Sequence, residues 1–182
     1  LKLGRCRVKL YPNPCESLAT SFKQELRLNE SEIVISSGQT SVRLWVEVEN
    51  PIVHVEVESP KSVDVEIGYE NWRMDDRLLP INERSACYSY SNYMPDIYTY
   101  KDCVEAEGEN ILFYHRNRSD KLLYDFILNQ QGLEDQKEDL INTQINNTFG
   151  GVVQGDNFIY SGVSEGIYGD MPYSRDSLSS KE

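Results

Sequence analysis

The chain has 182 residues, a length typical of one domain that can bury a substantial core. Its 30 acidic and 18 basic side chains give a formal net charge of -12. This charge argues against nucleic acid and anionic membrane surfaces as partners, because both are bound through clusters of Lys and Arg. A neutral ligand such as a carbohydrate is compatible with it. The sequence starts without Met, directly on a strand pattern, and contains no signal peptide or transmembrane run, so we expect a piece of a longer protein.

The first third of the chain predicts short antiparallel strands. The segments GRCRVKL at 4–10, SFKQELRL at 21–28 and EIVIS at 32–36 are separated by turn residues. Residues 42–67 give the clearest signal, because valines alternate with acids at a period of two and prolines mark two turns. This pattern predicts a three-stranded meander with a buried valine face. Together the segments predict a sandwich of antiparallel sheets.

A long irregular segment follows Trp72. Residues 74–109 contain no long periodic element, and the part YSYSNYMPDIYTY is rich in tyrosine. A loop of this length in a compact domain is usually functional or disordered. Its tyrosines either stack on sugar rings or pack the loop onto the sheet or a neighbouring domain, and the second role is the more common one for tyrosine. The tyrosines considered for sugar stacking are Tyr88, Tyr90, Tyr93, Tyr98 and Tyr100.

The next part of the chain predicts a strand, a helix and a second strand. A strand at 110–115 is followed by a helix from about Ser119 to Gln131, with an apolar stripe on one side. Gly132 suits the left-handed position that ends many helices. A polar linker then leads to NTFGGVVQG, whose two glycines indicate a strand with a bulge or a close backbone approach.

The end of the chain is rich in Ser, Gly, Asp and Tyr. This composition predicts that residues 161–182 form a loosely ordered tail or a truncated continuation. We therefore assign the sandwich domain to residues 1–160.

The four cysteines favour disulfides over a metal site. They show no CxxC spacing, and only two histidines are available to join them as zinc ligands. A bridge closing a loop of about 15 residues is worth roughly 3 kcal/mol in the chain-entropy model. The simplest pairs are Cys6 with Cys15 and Cys87 with Cys103, and four reduced thiols are the alternative. Disulfides and three N-x-S/T sequons both fit an exported protein.

No recognised catalytic, nucleotide-binding or metal-binding motif occurs in the sequence, and we expect no cofactor and no metal ion. Asp75 and Asp76, next to Trp72, form the best local carboxylate pair for glycoside hydrolysis, although a solvated acidic turn is the better explanation. His54 stands among glutamates on the polar face of the strands and is interpreted as a surface residue.

The run Tyr114-His115-Arg116-Asn117 stands out, because it lies where a strand ends and a helix begins. Backbone donors, a guanidinium and an imidazole can converge there on one polar ligand or on a carboxylate of a neighbouring domain. An ordinary structural turn explains the same residues equally well.

A succession of motifs resembles a known family. The motifs, in chain order, are FKQELRL, LWVEVENPIVHVEVES, ENWR, ILFYHRNRS, QQGLE and NNTFGGVVQG. Their order and spacing, from about Gly4 to Gly155, resemble the N-terminal domain of uncharacterised glycoside-hydrolase-like proteins, a domain of unknown function. The resemblance implies a β-sandwich that precedes an (α/α)6 barrel, as in fucosidases, trehalases and related six-hairpin glycosidases. The acid and base of such enzymes lie on the barrel, which this chain does not contain, so the resemblance implies no catalytic residue here.

Some positions within these motifs are candidates for the junction with the barrel or for the rim of its pocket. These positions are Trp72, Arg73, His115, Arg116 and Asn117.

We therefore expect a mainly β protein, an antiparallel β-sandwich of the supersandwich type with one short helix. The expected function is that of a non-catalytic N-terminal domain in a secreted or periplasmic glycoside hydrolase. It would support or dock a C-terminal catalytic domain of the same chain, which acts on carbohydrate. The alternative is a self-standing carbohydrate-binding or adhesive sandwich that uses the tyrosine-rich loop, and a third reading is a purely structural extracellular module. Neither a nucleic-acid partner nor membrane insertion is expected.

Overall fold

A computed structural model describes residues 3–15, 21–80, 83, 98–119 and 123–181. The protein is mainly β with antiparallel sheets, as expected, and this architecture is consistent with a β-sandwich. The described strands are β1 Gly4–Tyr11, β2 Lys23–Arg27, β3 Glu32–Ser37, β4 Thr40–Val46, β5 Val53–Glu58, β6 Asp64–Asn71, β7 Arg77–Leu78, β8 Tyr98–Thr99, β9 Cys103–Glu107, β10 Asn110–Arg116, β11 Thr148–Gln154, β12 Phe158–Tyr168 and β13 Met171–Ser180. The α-helix α1 spans Leu123–Gln131 and a 3-10 helix spans Glu134–Asp139.

The chain forms two compact units. One unit contains the residues up to Arg7 together with Ile67–Lys181, and the other contains Val8–Glu66. The boundaries between the units fall inside β1 and β6.

The unit Val8–Glu66 contains an antiparallel sheet with the strand order β2-β3-β4-β5. Its register places Ile33 opposite Leu44, and Leu44 opposite Val55, so the period-two alternation collects apolar side chains on one face. The predicted meander is confirmed for the pairing of β4 with β5. It is wrong for the third strand, because β6 belongs to a different sheet. The predicted burial of the valine face is also wrong, since Val46, Val53 and Val55 are 57%, 65% and 40% exposed. Alternation indicates which face of a strand is apolar, but it does not identify the neighbouring strand.

The other unit contains two sheets that share one core. The strand orders are β1-β6-β13-β12 and β11-β10-β9. Tyr69 and Leu178 from the first sheet pack with Ile111 from the second, and all three are fully or almost fully buried. The ring of Phe113 stacks on Tyr69 with 3.9 Å between centroids. This packing of two sheets on a shared apolar layer is the sandwich principle.

The close backbone approach predicted for the glycine pair in β11 is confirmed. In the register of the strands, Gly150 lies opposite Tyr114 and Gly151 lies opposite Phe113. A Cβ atom on Gly150 would lie 2.1 Å from the carbonyl oxygen of Phe113, which no side chain tolerates. Glycine is therefore required for β11 to lie this close to β10.

The predicted end of the helix is also confirmed. Gly132 has φ of +68°, in the left-handed region. Its N–H donates to Asn129, and the N–H of Leu133 donates to Leu128 at 2.9 Å. These two bonds form a Schellman motif, which satisfies carbonyls that the helix leaves without a partner. The predicted helix start falls partly on residues 120–122, which lie outside the described residues.

The expectation of a loosely ordered tail is wrong. Residues after Gly162 complete β12 and form β13, which pair over a long antiparallel register. Leu178 in β13 is fully buried in the core. Composition misleads here because β13 contributes one large apolar side chain to the core, Leu178, and its other residues are mostly polar.

The predicted bridge between Cys6 and Cys15 is not formed, since both thiols are free. Cys6 lies in β1, which continues extended to Tyr11. At about 3.3 Å per residue the strand carries the chain roughly 16 Å from Cys6 to Tyr11, whereas a disulfide needs Cα atoms within about 7 Å. Cys103 is also free, and its partner in the other predicted pair, Cys87, lies outside the described residues.

We expect a reducing agent to leave the free energy of unfolding of the wild type unchanged, because Cys6 and Cys15 form no bridge that it could break. The Cys6→Ser/Cys15→Ser variant should be equally insensitive to the reducing agent. Urea unfolding with and without dithiothreitol measures this. A wild type that loses about 2–3 kcal/mol on reduction, while the double variant does not respond, would show that the bridge exists.

Candidate functional site

The strongest cluster among the predicted site residues is centred on Asp102, which sequence reasoning did not select. The Asp102 carboxylate is fully buried and accepts hydrogen bonds from Arg73 Nε at 2.9 and 3.0 Å. The Nδ1 atom of His115 donates to the same carboxylate at 2.8 Å. We call Arg73, Asp102 and His115 the clamp.

Backbone hydrogen bonds hold the clamp in place. The N–H of Asp102 donates to the carbonyl of Arg73 at 2.9 Å, and the N–H of Arg73 donates to the Asn71 side chain at 3.0 Å. Asn71 ends β6 and is itself buried. The corner after β6 is thereby fixed to the segment that enters β9, and His115 joins both to β10.

The clamp resembles one part of a catalytic arrangement. A carboxylate that binds Nδ1 of a histidine orients the ring and leaves Nε2 available for proton transfer. However, His115 is only 8% exposed, its ring lies 5.3 Å from that of Phe149, and Arg73 shares its carboxylate. In the described ranges, no Ser, Thr or Cys side chain forms a hydrogen bond with His115. This geometry stabilises the corner.

The other members of the predicted set do not join the clamp. Arg116 is exposed, because β10 alternates and its side chain points to the face opposite His115. Asn117 donates from its side chain to the carbonyl of Gln144 and from its backbone to Asn147. It therefore anchors the turn before β11. Trp72 lies near Arg5 instead, with 6.0 Å from the guanidinium carbon to the ring centroid.

Two of the five tyrosines considered for sugar stacking are described. Tyr98 lies in β8 and is 47% exposed. The ring of Tyr100 is covered by the guanidinium of Arg118 at 3.8 Å, and Arg118 also pairs with Asp76 at 2.6 Å. The remaining three, Tyr88, Tyr90 and Tyr93, lie outside the described residues.

A second cluster lies on the sheet β1-β6-β13-β12, on the face that points away from the core. Glu70 is fully buried and accepts hydrogen bonds from Arg7 Nε at 2.8 Å and from Arg175 Nη2 at 2.6 Å. Arg5 also pairs with this carboxylate. We call Arg5, Arg7, Glu70 and Arg175 the arginine platform. Because side chains alternate along β6, the platform lies on the face opposite the core residue Tyr69.

Two glycines make room for the platform. A Cβ on Gly68 would lie 2.6 Å from Arg175 Cδ, and a Cβ on Gly166 would lie 2.4 Å from Tyr173 Oη. Without them, Arg175 and Tyr173 could not lie flat across the sheet. The Tyr173 hydroxyl accepts a hydrogen bond from Arg175 at 2.7 Å, and the Tyr168 ring lies 4.1 Å from the Arg5 guanidinium.

Two opposing effects act on the pKa of Glu70. Burial raises the pKa, but hydrogen bonds from Arg7, Arg175 and Arg5 outweigh it and hold the pKa below its ordinary value. The carboxyl is therefore ionised at neutral pH. The sequence contains a signal for this cluster. Arg5 and Arg7 are two residues apart in β1 and so share one face of the strand, as Gly68 and Glu70 do in β6.

The unit Val8–Glu66 presents His54 as a surface residue. Its Nε2 lies 2.7 Å from a carboxylate oxygen of Glu47, and its ring stacks on Trp45 with centroids 4.7 Å apart. Among the residues that the structure describes, no group of three His, Cys, Asp or Glu side chains is placed to hold a metal ion. Within the same ranges, no helix has the length and apolar character needed to cross a membrane.

Comparison with known proteins identifies the family. No curated protein and no solved structure matches the chain. The family model DUF5703_N, described as a domain of unknown function (DUF5703), matches residues 1–182. The chain therefore belongs to this family of domains of unknown function.

Proposed function

We propose that the chain is a non-catalytic N-terminal sandwich of an exported carbohydrate-active protein, and that it supports and docks a catalytic domain of the same chain. The observation that carries the non-catalytic part is the clamp. Its histidine and its arginine, the two most promising functional side chains of the sequence, are both committed to one buried carboxylate.

The hairpin of β12 and β13 supports the docking part. Val163 and Ile167 lie 60% and 74% exposed. By the register of the hairpin they stand on the same side as Leu178, which is buried in the core. Two large apolar side chains on this face therefore stand in solvent, with Glu165 between them. Exposed apolar side chains on the side of the sheet that carries the core support a site that another domain covers.

The carbohydrate part of the proposal is supported by the resemblance of the motifs from about Gly4 to Gly155 to the N-terminal domain of glycoside-hydrolase-like proteins. The matched family itself has no assigned function. The tyrosine-rich loop offers weaker support for the alternative of a sugar-binding module, because the described ring of Tyr100 is already covered by Arg118.

We expect sugar release from a mixed polysaccharide panel only when the chain is extended to the natural C-terminus of its gene. In the extended protein, Val163→Ser/Ile167→Ser should lower sugar release at least fivefold, because polar side chains weaken an apolar contact between domains. Val48→Ser is the matched control, since Val48 is 98% exposed in a connecting segment.

Two outcomes would contradict the proposal. Sugar release by the 182-residue chain alone would show that it is catalytic. Unchanged sugar release by the hairpin variant, with the extended protein active, would show that the hairpin does not dock the catalytic domain. Glycan retention by the isolated chain in affinity electrophoresis, without activity in the extended form, would favour the binding module.

A further inference from the structure

The arginine platform contains more hydrogen-bond donors than its own acceptor can satisfy. Three guanidinium groups present roughly fifteen N–H donors, whereas one carboxylate offers about four lone-pair sites. Glu70 already accepts four hydrogen bonds from Arg5, Arg7 and Arg175. Its accepting capacity is filled, and the remaining donors need acceptors from outside the cluster.

The remaining donors of Arg7 are the accessible ones, whereas Arg5 Nη2 is buried and the Arg175 side chain is only 12% exposed. The side chain of Arg7 is 39% exposed and that of Arg5 is 25% exposed. Arg7 binds Glu70 through Nε, and its two terminal amino groups form no hydrogen bond within the described part of the chain. They form a planar fork at the surface of the sheet, and a fork of this type binds both oxygens of a carboxylate, sulfate or phosphate.

The charge of the platform also favours an anion. Three arginines and one glutamate give a local formal charge of +2 in a protein whose net charge is -12. A long polyanion extends past the platform and comes within a Debye length, about 8 Å, of the surrounding negative surface, which repels it. A compact ligand with one or two negative charges experiences mainly the local positive charge.

The platform is held ready for such a ligand. Glu70 fixes the three guanidinium groups, Tyr173 accepts from Arg175, and the Tyr168 ring supports Arg5. Fixed donors bind more tightly than mobile ones, because less side-chain entropy is lost on binding.

We propose that the arginine platform is a binding site for a compact oxyanion, the carboxylate, sulfate or phosphate group of a small ligand. The site is separate from the docking face and does not depend on the proposed function. Arg7 supplies the exposed fork, Arg5 and Arg175 supply the surrounding positive charge, and Glu70 holds the three in position.

The test is calorimetric titration of the 182-residue chain with sodium sulfate, sodium phosphate and sodium glucuronate, at an ionic strength kept constant with sodium chloride. We expect saturable binding of at least one of the three. Arg7→Gln should weaken it at least tenfold. Lys61→Gln, which removes the same charge from an exposed turn, should leave it unchanged.

Absence of saturable binding, or equal binding by Arg7→Gln and wild type, would overturn the proposal. Binding of an Asp/Glu-rich peptide without binding of the three small anions would also overturn it, in favour of a protein partner.

Discussion

Glu70→Gln is expected to lower the free energy of unfolding by about 3 kcal/mol. Removing one partner from a buried ion pair typically costs about 3–5 kcal/mol, because the remaining charge stays without compensation. Glu70 is fully buried and its loss leaves three arginines unpaired. The lower end of the range applies, since Arg7 and Arg5 reach solvent and are partly screened. Glutamine keeps the size of the side chain, so the loss reports the charge and not a cavity.

The free energy of unfolding that Glu70→Gln loses depends on pH. Since the folded-state pKa of Glu70 lies below its ordinary value of about 4.3, its ionised form stabilises the fold above that value. This contribution is lost as the pH falls from about 4.3 through the lower folded-state pKa. The difference between wild type and Glu70→Gln should therefore shrink in acid.

Urea unfolding at pH 7 and at several values below 4.5 measures both effects. Glu165→Gln is the control, because Glu165 is an exposed carboxylate in the same sheet. Its effect should stay within about 0.5 kcal/mol. A Glu70→Gln variant as stable as this control would show that the arginines do not depend on Glu70.

The strands up to β6, β10 and β11 could be predicted from the sequence, whereas β9, β13 and the arrangement of sheets could not. Period-two alternation identified β4 and β5, because a strand places successive side chains on opposite faces. It also suggested a hairpin from β5 to β6, although β6 lies between β1 and β13. The partner of a strand depends on long-range packing, for which a local pattern contains no information.

Two of the three clamp residues were predicted from the sequence, and the third was missed for a similar reason. His115 was selected because it lies where a strand ends and a helix begins, and Arg73 because it lies in the motif ENWR of the family resemblance. Asp102 was not selected, because it is one of 30 acidic residues and its neighbours in the sequence do not distinguish it. Only the fold shows that it lies between the other two.

Asp102→Asn should lower the free energy of unfolding by about 3–4 kcal/mol, in the range known for breaking a buried ion pair. The side chains of Arg73 and His115 are only 15% and 10% exposed, so solvent cannot replace the lost charge. Asp76→Asn is the matched control, because Asp76 pairs with Arg118 at the surface. Exposed pairs of this type contribute about 0–1 kcal/mol.

The Asp102→Asn variant also distinguishes a structural role of the clamp from a catalytic one. Urea unfolding of the 182-residue chain gives the stability, and sugar release by the extended protein, corrected for the folded fraction, gives the activity. A structural clamp predicts a large loss of stability and an unchanged turnover per folded molecule. A turnover that falls by orders of magnitude in fully folded Asp102→Asn would show that the carboxylate orients His115 for proton transfer. In that case the chain would contribute directly to the reaction, and the proposal of a non-catalytic sandwich would be wrong.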